Sequence, residues 1–233
     1  MAVIKQAAII GGGVIGAGWI SRLIENGIDV SVYDPAADAA EKVEAVLKNS
    51  RYAYSKLISG PRCNEGSVEF CDSIAAAVAS AELIVESVPE RLDIKQTVYA
   101  EIEASATIDA LIASSTSGIM PSDLQAKMKH PERLLVAHPF NPVYLLPLVE
   151  LVGGKSTTME TIERAREIYH SVGMHPLHVK KEIEAFIADC LLEAVWRESL
   201  WLVKDGIATT QDVDDAVRFG FGLRYAQMGE IGR

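Results

Sequence analysis

Basic residues are in short supply: 22 Lys and Arg stand against 32 Asp and Glu, a formal net charge of -10, and no run of them occurs along the chain. Binding a phosphate backbone wants a basic face, so a nucleic-acid partner is excluded and small-molecule chemistry is favoured. Long apolar runs are missing as well. No stretch reaches the roughly 18 residues of a membrane span. The N-terminal MAVIKQAAIIGGG enters a strand-like run with no basic leader, no extended apolar core and no cleavage site, so neither a membrane nor secretion is expected. Cysteine is sparse. Cys63, Cys71 and Cys190 are odd in number and spaced for neither zinc nor a disulfide framework, which leaves no metal site and fits a reducing cytoplasm. Repeats, low-complexity segments and flexible linkers are absent.

What is present reads as an ordinary globular protein. With 233 residues, 49% of them hydrophobic, the chain can form one large domain and a smaller appendage. Short apolar runs alternate with amphipathic stretches. AAII (7–10), DVSVYD (29–34), SVEFC (67–71), ELIVES (82–87), ALIAS (110–114) and RLLVAH (133–138) have the length and composition of strands, with helical patterns between them. Such alternation implies parallel strands joined by crossover helices, an α/β, Rossmann-type doubly wound sheet. Beyond Glu150 a capped helix (157–173) and one more strand (175–180) follow. From residue 184 two helices run on with no strand between them. The expected domains are therefore 1–183, dinucleotide-binding, and 184–233, helical.

IIGGGVIGAGWI places Gly11, Gly13 and Gly16 in the spacing G-x-G-x-x-G directly between the first strand and its helix. The first glycine allows the tight turn, the second lets backbone approach a pyrophosphate, and the third lets helix and strand pack closely. The helix start then offers unpaired N–H groups and a positive dipole end to the phosphates. The next strand ends in Asp34, placed to accept hydrogen bonds from both ribose hydroxyls. A carboxylate there repels a 2'-phosphate, and Pro35, Ala36 and Ala37 supply no arginine to offset it. NAD is thus expected over NADP.

Strand C-termini face the crevice in such a sheet, and SSTSG (114–118), VPERLDIK (88–95) and His138 all sit there. HPFNPVYLLPLVE, from His138 to Glu150, is apolar and broken by proline between two ionisable ends. If it returns as a hairpin turning near Tyr144, His138 and Glu150 lie opposite each other. The residues alone also allow a plainer reading, a hydrogen-bonded core histidine and a solvated strand end.

The combination GGGVIGAG, IVESVPE, SSTSG, HPFNPVYLLPLVE and FIAD, in that order through essentially the whole chain, resembles the 3-hydroxyacyl-CoA dehydrogenase family. The resemblance implies a catalytic set of Ser117, His138, Glu150 and, where the family has Asn, Asp189. It implies cofactor contacts at Gly11, Gly13, Val14, Ile15, Gly16, Asp34, Glu90, Lys95, Ser117 and Asn141. A histidine suits proton removal from a secondary alcohol, with Glu150 fixing its tautomer and Ser117 holding the substrate oxygen.

Within the family, SSTSG, HPERLLVAHPFNPVYLLPLVELVGG, MHPLHVKKE, EAVWRE, DGIATT and RFGFGLRYAQMG resemble the branch that oxidises the 3-hydroxyl of L-carnitine to 3-dehydrocarnitine. Relatives acting on 3-hydroxyacyl-CoA or L-gulonate are the alternative enzymes, and lambda-crystallin, a structural lens protein, is the alternative from another class. The helix from Phe186 adds its own argument. Asp189, Glu193 and Arg197 recur every four residues and share a face, with Trp196 beside them. These types suit a zwitterionic hydroxy acid: arginine for its carboxylate, aromatic and acidic groups for its cation. The plainer reading of that face is a solvated one with intrahelical ion pairs and Trp196 in the core. Departures from the family are Cys190 at a usual Arg and Glu184-Ala185 at a usual Pro-Gly. The chain stops at MGEIGR, short of the family's helical domain, which is therefore expected to be incomplete here. Whole, that domain makes the dimer contacts, so a homodimer is the expected full-length form.

Overall fold

The structure, a computed structural model, describes residues 3–59, 64–229 and 231. It divides into two compact units, Met1–Phe186 and Ile187–Arg233. The expectation concerning Cys63 lies outside the described residues, and neither Cys71 nor Cys190 forms a disulfide.

The first unit begins β1 (Gln6–Ile10), α1 (Val14–Glu25), β2 (Asp29–Tyr33), α2 (Ala39–Leu57), β3 (Val68–Phe70) and α3 (Ile74–Val78). It continues β4 (Leu83–Glu86), α4 (Leu92–Ser105), β5 (Leu111–Ser114), α5 (Pro121–Gln125), β6 (Leu134–Pro139), β7 (Leu148–Gly153), α6 (Met159–Ser171) and β8 (His175–Val179). The strands form one 8-stranded sheet in the order β3-β2-β1-β4-β5-β6-β7-β8. Every neighbouring pair is parallel except β6 with β7, which is antiparallel. Chain order reverses between β1 and β4, the place where a doubly wound sheet opens a crevice at its C-terminal edge. The short helix α5 was not legible in the sequence.

Strand periodicity divides the core in two. Ala7, Ile9, Leu83, Val85, Leu135 and Ala137 point to one face, against Trp19, Ile20 and Leu23 of α1 and Ile168 of α6. Ala8, Ile10, Ile84, Ile112 and Val136 point to the other, against Val98, Tyr99 and Ile102 of α4 and Leu124 of α5. Helices on both faces explain why the central strands read as continuous apolar runs and do not alternate with polar residues. His138 and Glu150 continue the alternation of β6 and β7 onto the second face.

One contact links the glycine-rich helix to the hairpin. A Cβ on Gly18 of α1 would stand 2.9 Å from Cβ of Val143, in the turn between β6 and β7. Arg22, one helical turn on, donates to the Val143 carbonyl at 3.0 and 3.3 Å. Gly18→Ala would gain up to about 1 kcal/mol in helix propensity. It must also displace Cβ and Cγ2 of Val143, an overpacking that costs about 1–3 kcal/mol. A net loss of stability in urea denaturation is therefore expected; a more stable variant would mean the hairpin tip yields freely.

The second unit contains α7 (Ala188–Lys204), α8 (Thr210–Ala216) and α9 (Gly222–Met228), with a π-helical segment, Val217–Phe221, before α9. Thr209 and Asp212 form a reciprocal capping box at the start of α8. α9 is a third helix that the sequence pattern left unread, since Gly220 and Gly222 interrupt its period. None of the three helices has a fully buried residue. Among the described residues, no helix is long and apolar enough to cross a membrane.

Candidate active site

The glycine turn is shaped by contacts that exclude side chains. Gly11 has φ +100, and a Cβ there would meet the Ser87 carbonyl oxygen at 2.6 Å. A Cβ on Gly16 would lie 1.9 Å from the Gly11 carbonyl oxygen, whereas one on Gly13 would meet nothing within 4 Å. The middle glycine thus faces open space, where a pyrophosphate needs room. α1 starts there with no side-chain cap and no acidic residue in its first turn. The amides of its first residues, among them the exposed Val14 and half-buried Ile15, are left for an anion.

Asp34 follows β2 at the same edge. Its Oδ2 accepts from the Gly12 amide at 2.6 Å and its Oδ1 from the Ala36 amide at 2.8 Å. Each carboxylate oxygen accepts more than one hydrogen bond, so capacity for ribose hydroxyls is retained on a side chain already fixed in direction. A cavity of about 580 Å³ opens between these groups, lined by Gly11, Gly13, Tyr33, Asp34, Ser87 and Val88, with Ile74, Ile94 and Val98 as an apolar wall. A glycine cradle open above a helix start, a ribose acceptor and an apolar slot fit a dinucleotide such as NAD.

His138 and Glu150 are register partners across the antiparallel β6–β7 pair. Nδ1 of the imidazole stands 2.9 Å from Oε2 of Glu150. His138 is 6% exposed and Glu150 fully buried. An ionised carboxylate only accepts, so in this pair Nδ1 is the donor. The Phe140 and Phe186 rings flank the imidazole at centroid distances of 5.7 and 5.3 Å. Glu150 is no solvated strand end. The plainer reading of the hairpin thus fails for Glu150, whereas His138 is buried and hydrogen-bonded as that reading has it.

Ser117 is exposed in the loop after β5, the strand beside β6. Its amide donates to Oε1 of Glu90 at 3.2 Å, and the Gly118 amide to the same oxygen at 3.1 Å. The Thr116 hydroxyl donates there too. Burial pushes the Glu90 carboxyl up, but the Thr116 hydroxyl, the Lys95 ammonium and the Gly118 amide outweigh it and hold it below the usual carboxylate range. Glu90 therefore grips the loop that carries Ser117.

Lys95 lies on α4. Expected as a cofactor contact, it is 1% exposed and donates to Oε1 of Glu86 at 2.7 Å, with the Val88 carbonyl and Oε2 of Glu90 each at 3.3 Å. Its ammonium joins buried Glu86 to Glu90, the carboxylate that grips the Ser117 loop. Glu86, which the sequence reading missed, accepts from the Val88 amide at 2.8 Å and from the Tyr99 and Ser114 hydroxyls at 2.6 Å. A carboxylate ending an otherwise apolar buried strand was the available signal. Burial first, then the Glu86 charge, hold the Tyr99 phenol well above its ordinary value. Asn141 is exposed in the hairpin turn.

Asp189, Glu193, Trp196 and Arg197 all lie on α7 of the second unit. Trp196 is 58% exposed.

Comparison with known proteins places these features among relatives. The model of the 3-hydroxyacyl-CoA dehydrogenase NAD binding domain matches residues 6–183, and that of the same family's C-terminal domain matches 186–231. An L-carnitine dehydrogenase of Mesorhizobium japonicum is 60% identical over 98% of this chain and 63% of its own length. An L-carnitine dehydrogenase/betainyl-CoA thioesterase of Rhizobium meliloti is 55% identical over 98% of this chain and 46% of its own. The chain thus spans about half to two thirds of these relatives. Among solved structures, the NAD+ dependent dismutase 5-formyl-3-hydroxy-2-methylpyridine 4-carboxylic acid 5-dehydrogenase superposes with a TM-score of 0.92 at 35% identity, over 99% of this chain and 75% of that one.

Proposed function

The chain belongs to the 3-hydroxyacyl-CoA dehydrogenase family, and from that premise we propose that it catalyses the NAD-dependent oxidation of the 3-hydroxyl of L-carnitine to 3-dehydrocarnitine. The observation that carries the reading is the buried pair of His138 and Glu150, 2.9 Å apart on register partners. NAD in the crevice supplies the acceptor for the hydride leaving the alcohol carbon. Nε2 of His138 takes the hydroxyl proton, and Glu150 stabilises the imidazolium that results, as a carboxylate does in other histidine-acid pairs. Ser117 hydrogen-bonds the substrate oxygen. Gly11 to Gly16 receive the pyrophosphate, Asp34 the adenosine ribose, and Asn141 the nicotinamide side.

Carnitine brings one fixed cation and one carboxylate. In this reading Arg197 meets the carboxylate, while Trp196 and either Glu193 or Asp189 surround the trimethylammonium. A desolvated contact between a cation and an aromatic ring stabilises by about 2 kcal/mol. A CoA thioester would instead need cationic partners for its phosphates. The acidic chain, with AAEKVEAVLKNS in α2, offers few. The identities of 60% and 55% to proteins described as acting on L-carnitine support the same choice.

NADH formation over a panel of L-carnitine, L-gulonate and 3-hydroxybutyryl-CoA tests the reading. It should be run on this chain and on any longer form of the protein containing it. The expected result is the highest kcat/KM with L-carnitine; equal or better activity with the CoA thioester would overturn the substrate. Cofactor choice is tested at Asp34. Asp34→Ala is expected to weaken NAD binding by about 1.5–3 kcal/mol for each charge-assisted hydrogen bond lost and to narrow the preference over NADP. Asp34→Asn, which keeps an acceptor for the Gly12 amide, should show a smaller version of the same change. Unaltered NAD affinity by calorimetry in both variants would remove Asp34 from the ribose site.

A further inference from the structure

Trp19 of α1 is fully buried, and its ring leans on Tyr169 at a centroid distance of 5.1 Å. A buried indole N–H needs an acceptor, and Nε1 finds it in the Ser115 hydroxyl, 3.1 Å away. One serine would satisfy the ring. A second is present: the Ser87 hydroxyl donates to the same Ser115 oxygen, also at 3.1 Å. A hydroxyl accepts two hydrogen bonds and donates one, so both lone pairs of Ser115 are taken and only its proton is left to give. Among the described residues, no group accepts it. Ser115 is half-buried, so a bound molecule can reach the hydroxyl.

Position gives that proton its target. Ser87 and Ser115 are the first residues after β4 and β5, and their amides donate to the Ile10 and Glu86 carbonyls, each at 2.8 Å. Ser87 also lines the cavity of about 580 Å³ beside Gly11 and Gly13. With the adenosine ribose at Asp34 after β2 and the pyrophosphate at the turn after β1, the sheet order leaves the other half of a dinucleotide over β4 and β5, on the way to His138 of β6. We propose that Ser115 is a cofactor-binding residue, donating to an acceptor oxygen in the nicotinamide riboside half of NAD, and that Trp19 is the positioning residue that aims it. The indole N–H and the Ser87 hydroxyl fill the two accepting directions, which turns the proton of Ser115 toward the third. Donation to the cofactor in turn makes the Ser115 oxygen a better acceptor, so occupancy of the crevice is felt at the indole of α1.

The inference rests on NAD lying with its adenosine ribose at Asp34, and its test separates the two ideas. Calorimetry with NAD, ADP-ribose and AMP compares the wild type with Ser115→Ala and Trp19→Phe, AMP reporting on the adenosine half alone. Ser115→Ala is expected to bind NAD about two- to tenfold more weakly, the worth of one neutral hydrogen bond, and AMP as the wild type does. An equal loss with ADP-ribose identifies a ribose hydroxyl as the acceptor; a loss confined to NAD identifies the carboxamide oxygen. Trp19→Phe, which keeps an aromatic ring without the N–H, should show a smaller loss in the same pattern. The 15N–1H signal of the Trp19 indole, assigned by substituting the other two tryptophans, Trp196→Phe and Trp201→Phe, should move when NAD is added and move far less in Ser115→Ala. Wild-type NAD affinity in Ser115→Ala, or a loss shared in equal proportion by AMP, would overturn the proposal; wild-type NAD affinity in a folded Trp19→Phe would strike Trp19 from it. If Trp19→Phe does not fold, the indole signal decides the part of Trp19 by the same comparison. Full AMP affinity in Asp34→Ala would sink the placement of the adenosine ribose, while the NAD arms still report on Ser115.

Discussion

Replacing His138 with Ala is expected to lower turnover by about 100-fold to 10,000-fold, the range for loss of a positioned general base, while NAD binds nearly as before. The separation follows from where the parts lie. The proposed pyrophosphate and adenosine contacts lie in the turn after β1 and at Asp34 after β2, whereas the proposed base stands on β6 and its carboxylate on β7. Glu150→Gln should impair turnover in the same direction, because an amide can offer Nδ1 either a donor or an acceptor and no longer fixes the tautomer. It also withdraws the negative charge that stabilises the imidazolium. Steady-state kinetics with calorimetry of NAD binding reads both effects. Wild-type turnover in either variant from pH 6 to pH 10 would make the pair structural.

The second large effect is on stability. Glu86 is fully buried and Lys95 1% exposed, with 2.7 Å between their charged atoms. Taking such a pair apart by removing one member leaves a buried charge uncompensated and costs about 3–5 kcal/mol. That is a large part of the roughly 5–15 kcal/mol that holds a domain folded. Lys95→Met is therefore expected to shift the urea midpoint sharply downward. Lys95→Met combined with Glu86→Gln should recover part of the loss, since the orphaned charge is gone while the Tyr99, Ser114 and Val88 partners remain. A single-variant cost below about 1 kcal/mol would mean water reaches Glu86 and the pair is not sealed as described.

These two clusters differ in how far the sequence announced them. The pairing of His138 with Glu150 was legible because a strand, a proline-bearing turn and a return strand lie within thirteen residues, and period-2 geometry decides which residues face each other. The glycine spacing and Asp34 were legible for the same reason: one strand, turn, helix and strand fix them locally. The second hydrogen-bonding duty of Asp34, to the Gly12 amide, depends on how β1 and β2 pair and was not. Lys95 shows the limit more sharply. Its helical position is readable, but its ion pair with Glu86 depends on the end of another strand. Phe186 was quoted only as part of a motif. No local pattern announces that two left-handed residues will turn its ring onto a histidine 48 positions earlier.

In the proposed reaction His138 removes the hydroxyl proton while hydride leaves the carbon that bears the hydroxyl, on a small zwitterionic 3-hydroxy acid. L-Carnitine deuterated at C3 tests it directly, with the nicotinamide product examined by mass spectrometry after reaction with wild-type protein and with His138→Ala. The account predicts reduced cofactor carrying the deuterium from the wild type, and almost none from the variant over the same interval despite comparable NAD binding. Reduced cofactor without deuterium, or labelled cofactor formed equally fast by both proteins, would contradict it.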